Sequence, residues 1–267
     1  MTIEIHTNDK CNCNCRNCLH LSCIAKNPRF KSAIDFENDF KKIYSGFKNN
    51  VKCVRIMGGE PFLNADLLNI IKTIRNYFKN QTIELVSNGL FFLDEKFCES
   101  QQYLNIFNIL KNEKIGLRIS CHFNDVEKFK QIIIDRLNFL QMGCFYEHGN
   151  IFNQIKVNKE PSDKIKNFES CPMKDFIKDK KCVQLVGTKL IRCPFAAYSY
   201  ILNENTGLNY SLNDHDVLDL EKIKNDEEIK EFFLREIDFC KWCHFEKEKI
   251  FALSKTDNKV KDFLNFD

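Results

Sequence analysis

The sequence predicts an α/β protein built on a largely parallel sheet. Three observations carry this. From residue 1 to about residue 160, short β-branched runs alternate with stretches whose apolar residues recur at helical spacing. Such alternation implies right-handed crossovers, which lay the strands parallel to one another. Length and composition agree: 267 residues, 43% hydrophobic and 29% charged, suit one large domain or one plus a small partner. A core of that size needs no disulfide staples.

The elements follow in order. Residues 3–6 form a short strand candidate. Residues 35–48 place Phe36, Phe40, Ile43 and Phe47 at helical spacing. Residues 51–57 (VKCVRIM) read as a strand. Residues 66–79 carry Leu67, Ile70, Ile71, Ile74 and Phe78, a helix. Residues 82–87 (TIELVS) form a strand stopped by the turn pair Asn88-Gly89. Residues 96–111 are helical, 115–123 are a strand, and 126–141 are helical. Two further strands are expected near 144–148 and 151–157. Six strand units are fewer than the eight of a full barrel, so the pattern alone leaves open a partial barrel or a doubly wound sheet. Either way, ligands belong at the C-terminal strand ends.

Beyond residue 160 the pattern changes. Residues 159–166 (KEPSDKIK) are polar, contain a proline and read as a linker. A hairpin-like piece (CVQLVGTKLIRC), an acidic stretch at 214–228 and a helix over 226–236 follow.

Several function classes drop out early. The 40 basic and 37 acidic residues leave a net charge of +3, too balanced for a nucleic-acid or anionic-membrane surface. No run approaches the roughly 18 apolar residues of a membrane span. The N-terminus has no basic region followed by an apolar one, so a cytoplasmic location is expected.

The chain has 14 cysteines. In a reducing compartment, metal ligation or catalysis outranks disulfide formation. Cys53, Cys98 and Cys144 are isolated and read as small core hydrophobes. The others cluster. Cys11, Cys15 and Cys18 form C-X3-C-X2-C directly after the first strand. Three thiolates on one loop can hold three irons of a cubane and leave the fourth open. Cys13 lies between them and is expected to point away. Four close cysteines also suit a structural zinc site. The strand at 51–57 then ends in Gly58-Gly59-Glu60-Pro61. Glycines there let backbone approach a ligand closely, and the Glu60 carboxylate sits where such sheets bind ligands.

These residues resemble the radical S-adenosylmethionine (radical SAM) superfamily. The match rests on Cys11-Asn12-Cys13-Asn14-Cys15-Arg16-Asn17-Cys18 and Gly58-Gly59-Glu60-Pro61. It is supported by Ser87-Asn88-Gly89 and by Ser120 at a strand end. The resemblance implies a partial (β/α)6 TIM-like barrel over residues 1–160, with a [4Fe–4S] cluster on Cys11, Cys15 and Cys18. SAM would bind the open iron, its methionine amino group held by Gly58, Gly59 and Glu60, with Ser87, Asn88 and Ser120 as further contacts. One electron would cleave SAM to a 5′-deoxyadenosyl radical that takes hydrogen from substrate. A flavodoxin- or ferredoxin-type partner would supply the electron. The residue before the third cysteine is often aromatic in this superfamily; here it is Asn17.

Behind such a core, residues 161–267 resemble the small C-terminal auxiliary-cluster domains called SPASM or, with one cluster, Twitch. That implies one auxiliary [4Fe–4S] cluster on Cys182, Cys193, Cys240 and Cys243, with Cys171 as a possible replacement for Cys182. A closed cluster there can accept an electron from a substrate radical.

Strand alternation puts Arg55, Arg118, Ser120 and His122 on the face opposite the apolar residues, with Glu84 a further candidate. Two arginines and a histidine favour a polar, anionic ligand; internal salt bridging is the competing reading. Arg118 and His122 are the substrate candidates. The opening CNCNCRNCLHLS resembles a radical SAM subgroup that accompanies surface-polysaccharide biosynthesis. This implies a sugar, an amino sugar or a small polar conjugate, oxidised or epimerised. The alternatives are a peptide-modifying maturase and, from another class, a non-catalytic zinc-binding interaction protein. The cluster loop begins at residue 11, so no peptide-recognition domain is expected before it.

Overall fold

The computed structural model describes residues 1–121, 126–148, 151–178, 181–251 and 260–266. Ten strands and ten α-helices occur among them. The first half comprises β1 (Thr2–His6), α1 (Ala33–Lys42), β2 (Cys53–Met57), α2 (Leu67–Tyr77), β3 (Thr82–Ser87), α3 (Glu95–Glu99), α4 (Gln101–Asn112), β4 (Gly116–Cys121), α5 (Val126–Phe139), β5 (Cys144–His148) and β6 (Ile151–Val157). The second half comprises α6 (Lys164–Glu169), α7 (Lys174–Lys178), β7 (Cys182–Val186), β8 (Lys189–Ile191), α8 (Pro194–Ala197), α9 (Ser199–Thr206), β9 (Val217–Asp219), α10 (Asp226–Leu234) and β10 (Cys243–Phe251).

The strands β1 to β5 lie parallel and side by side in chain order. No reversal of order occurs among them, so this is the winding of a partial barrel and not of a doubly wound sheet. One face is apolar. Ile3, Ile5, Val54, Ile56, Ile83, Leu85, Leu117 and Ile119 pack against Phe36, Phe40, Ile70, Ile74, Phe107 and Leu137 of the helices. The opposite face is left for polar groups and ligands.

The sixth parallel strand is not the expected one. Residues 151–157 do form β6, but it pairs antiparallel with β10 in a separate two-stranded sheet. Its place is taken at the other edge, where β7 runs parallel to β1. Antiparallel β8 and β9 complete an eight-stranded sheet that crosses the 160/161 boundary. A second core gathers Leu21 and Ile24 with Phe195, Tyr198, Leu202, Phe239 and Phe263.

Two helices are shorter than their periodicity suggests. The 35–48 pattern stops at Lys42, and the Tyr44 N–H donates to the Leu220 carbonyl (2.9 Å), carrying the chain toward β9. The 96–111 pattern breaks at Ser100, whose extended backbone (φ −69°, ψ 138°) separates α3 from α4. Cys98 and Cys144 pack on the main core as expected. Cys53 lies instead beside the charges of the opposite face.

Candidate functional site

The loop after β1 carries Cys11, Cys13, Cys15 and Cys18, and all four line one cavity of about 360 Å³. Asn14 and Asn17 adopt left-handed backbone (φ 48° and 56°), a region asparagine tolerates better than bulky residues do. Cys13 does not point away. It is buried, its Sγ accepts from Cys15 Sγ at 3.5 Å, and it shares the cavity with the other three thiols.

Gly58 and Gly59 form part of the cavity wall, but their main constraint comes from the protein itself. A Cβ on Gly58 would stand 2.6 Å from the Asn8 carbonyl oxygen, and one on Gly59 would stand 2.1 Å from that of Lys10. The Gly59 and Glu60 N–H groups donate to these same carbonyls, each at 2.8 Å. Bare glycine backbone therefore seats the cysteine loop on the end of β2.

Ser87, Asn88 and Ser120 also line the cavity. Glu60 does not. It is fully buried, and its carboxylate accepts from Ser87 Oγ (2.9 Å), the Asn88 N–H (2.9 Å) and the Phe62 N–H (3.3 Å). Burial raises its pKa to about 7, while these hydrogen bonds oppose the rise. Glu60 thus ties the end of β2 to the end of β3. Asn88 continues the tie by donating to Asn12 Oδ1 (2.8 Å) and Cys11 Sγ (3.7 Å).

The charged groups of the ligand face satisfy one another. Arg55 bonds Glu84 (3.1 Å) and Glu4 (3.4 Å); Arg118 bonds both Glu84 oxygens at 3.1 Å. Among the described residues these two cations meet two carboxylates, as the competing reading of internal salt bridging has it, and Arg118 ties β4 to β3. Its partner candidate, His122, lies outside the described residues. Sequence reasoning missed Glu4, His20, Gln184 and Arg192, all on the cavity wall. Glu4 could have been found, since it alternates with Ile3 and Ile5 along β1. His20 packs edge-on to His6 (4.6 Å), which stacks on Tyr198 (4.0 Å).

The late cysteines need one substitution. Cys171, Cys193, Cys240 and Cys243 line a second, apolar pocket. Cys182 is elsewhere: β7 pairs it with Thr2 on β1, beside Arg55 Nη1 (4.0 Å), Glu4 and Cys53. The hairpin symmetry that suggested Cys182 with Cys193 fails because β8 ends at Ile191. Cys193 then turns away to cap α8, ahead of Pro194. Cys171 takes the place of Cys182, and its Sγ accepts from the Met173 N–H (3.4 Å).

Among the described residues no group of three or more cysteine, histidine or carboxylate side chains is drawn together as around a bound metal ion, although each thiol set lines one cavity. Burial raises Cys11 and Cys171 to about 12 and pushes Cys18, Cys193, Cys240 and Cys243 upward, while Cys15 is raised first by its hydrogen bond to Cys13 and then by burial. Buried thiols with such pKa values become thiolates only when a metal takes up the charge.

Four thiols on one loop at the end of a parallel strand, beside a glycine-lined cavity, are the kind of donor set an iron–sulfur site on an α/β sheet would use. Comparison with known proteins agrees. Residues 5–117 match a family described as a 4Fe–4S single cluster domain. The GTP 3′,8-cyclase of Aliarcobacter butzleri (strain RM4018) is 32% identical over 87 residues, 33% of this chain and 27% of that protein. The GTP 3′,8-cyclase of Campylobacter fetus subsp. fetus (strain 82-40) is 23% identical over 214 residues, 78% of this chain and 59% of that one. The chain thus spans less than two thirds of the length of these curated relatives. The crystal structure of BtrN in complex with AdoMet and 2-DOIA shares the fold, with a TM-score of 0.54 and 14% identity over 91% of this chain and 92% of that one. These likenesses agree with the resemblance to the radical SAM superfamily carried by the cysteine loop and Gly58-Gly59-Glu60-Pro61. Among the described residues, no helix is long and apolar enough to cross a membrane.

Proposed function

We propose that this protein oxidises an alcohol on a small polar substrate, with SAM as the source of the hydrogen-abstracting radical and an auxiliary cluster as electron acceptor. The observation that carries this is a shared wall. Leu19, Ile155, Met173, Ile177 and Pro194 border both the main cavity and the pocket of the late cysteines. A single layer of side chains therefore parts the substrate space from a possible electron sink.

Cys11, Cys15 and Cys18 would hold the [4Fe–4S] cluster, with Gly58, Gly59, Ser87, Asn88 and Ser120 placed to meet SAM. When bound, cluster and SAM supply one electron and a 5′-deoxyadenosyl radical. Cys171, Cys193, Cys240 and Cys243 would hold the auxiliary cluster. The chain's own part is to orient substrate and exclude water. Apolar walls from Leu19, Met57, Val86 and Phe176 surround a few polar groups, namely Glu4, His20, Gln184 and Arg192. A sugar or amino sugar, as the opening motif suggests, suits such a wall, and a flavodoxin- or ferredoxin-type protein would be the electron donor.

The test is anaerobic purification, metal analysis and turnover. About eight irons per chain are expected, falling to about four in Cys15→Ala, which should form no 5′-deoxyadenosine. Reduced wild-type protein should release 5′-deoxyadenosine faster with an oxidisable polyol than without one. Stoichiometric zinc without iron would end the enzyme reading. An iron-replete protein that never cleaves SAM would end the proposed reaction.

A further inference from the structure

Among the described residues Arg192 is a buried cation without an ion-paired carboxylate. It is 4% exposed and sits between Ile191, the last residue of β8, and Cys193. Its Nη1 donates to the carbonyls of Arg235 (2.6 Å) and Phe233 (3.4 Å). Its Nη2 donates to those of Glu236 (2.9 Å) and His215 (3.3 Å). Nε is buried and makes no hydrogen bond. The guanidinium rests over the Phe232 ring at 4.9 Å and forms part of the main cavity wall. Among the described residues no ion pair includes it. Asp216 is the carboxylate that bears on it electrostatically, but that group is held by the N–H groups of Phe239 (2.8 Å) and Asn213 (3.2 Å).

Burying an unpaired charge is strongly unfavourable. Four carbonyl dipoles offset part of that, yet they leave a full positive charge beside Cys193 and Cys240, both of which act on it electrostatically. A four-thiolate cubane is anionic and becomes one unit more negative on taking an electron. A fixed cation beside it favours the reduced form, because net charge and hydrogen bonds to sulfur set cluster potentials.

We propose that Arg192 is the counter-charge of the auxiliary cluster and raises its reduction potential, which makes that cluster the electron acceptor for substrate oxidation. This rests on the reading of the late cysteines as a cluster site. The step balances. The substrate carbon, having lost a hydrogen atom, gives one electron to the cluster as its hydroxyl proton leaves to water and the C=O bond forms. The oxidised form of the flavodoxin- or ferredoxin-type partner, left by its earlier donation of one electron, would then take the electron from the auxiliary cluster.

The test is a redox titration followed by electron paramagnetic resonance on the full-length Cys15→Ala protein, in which only the auxiliary cluster remains. Arg192→Gln should shift the reduction equilibrium at least tenfold against the reduced form, which is 59 mV for one electron. Arg192→Lys should stay within about threefold of the parent, since it keeps the charge. Asp216→Asn should shift the equilibrium the other way, because it removes a nearby negative charge. An unchanged potential in Arg192→Gln overturns the proposal. So does an equal shift in Arg192→Lys with the irons retained, which would mark a packing effect. Should Arg192→Gln lose its iron, Asp216→Asn decides, and no rise in its potential is an overturning result. Should wild type hold about four irons, all lost with Cys15, the auxiliary-cluster reading itself fails, and the iron count shows which idea fell.

Discussion

The early loop with Cys11, Cys15 and Cys18 and the late set of Cys171, Cys193, Cys240 and Cys243 are both thiol sites, yet they are built in opposite ways. The early site is local. Eight residues carry every thiol, two asparagines supply the left-handed turns, and the loop opens on the main cavity. The late site is assembled from three distant segments, each fixed by something else: the turn before α7, the cap of α8 and the 3-10 turn before β10. It closes in an apolar pocket. A local loop can leave a metal position open to ligand, whereas a site closed by tertiary structure suits electron storage.

The sharpest way to break this contrast is to exchange the two disputed thiols. Cys171→Ala should lower iron from about eight to about four per chain, while Cys182→Ala should keep about eight. The opposite pattern would place the late site on β7 and dissolve the distinction. Next in size is the seat of the early loop. Gly59→Ala should cost about 3 kcal/mol in chemical denaturation, because its Cβ would fall 2.1 Å from backbone that has nowhere to move. An unchanged midpoint would mean that the loop is not clamped by β2.

The smallest effect is a pH dependence. Burial holds the Glu60 carboxyl near 7, above its ordinary 4.5, so the native protein keeps a proton that the unfolded chain has lost. Its contribution is therefore full below about 4.5 and declines as pH rises toward 7. Glu60→Gln, which cannot ionise, should flatten that decline in urea titrations between pH 5 and 8. Parallel profiles for the two proteins would show that the hydrogen bonds from Ser87, Asn88 and Phe62 keep the carboxylate ionised throughout.

What was legible in the sequence follows the same division. Strand positions 82–87, 144–148 and 151–157 were readable, because a two-residue period and turn residues are local signals. The early thiols were readable by spacing. Partnership was not: β6 with β10, β7 with β1, and Cys171 in place of Cys182 depend on pairings across many residues. Side-chain direction was half readable. Alternation put Arg55, Glu84 and Arg118 on one face, but their mutual neutralisation needed the registers of β1 to β4. Glu60 stood at the right place and faced the wrong way for the role expected of it, since three donors at the ends of β2 and β3 claim its carboxylate.

β1 is hydrogen-bonded on both sides, to β2 of the early half and to β7 of the late half. Residue 160 divides two chemistries, but the backbone ladder is continuous across them. A nick in the polar 159–162 stretch would sever the chain and leave both pieces zipped together along one strand. An early half made alone would bare one whole edge of β1, an open template for joining a second copy. The two halves are thus bound to travel together, and a graft that swaps one late half for another must also carry over the match between β7 and the first strand.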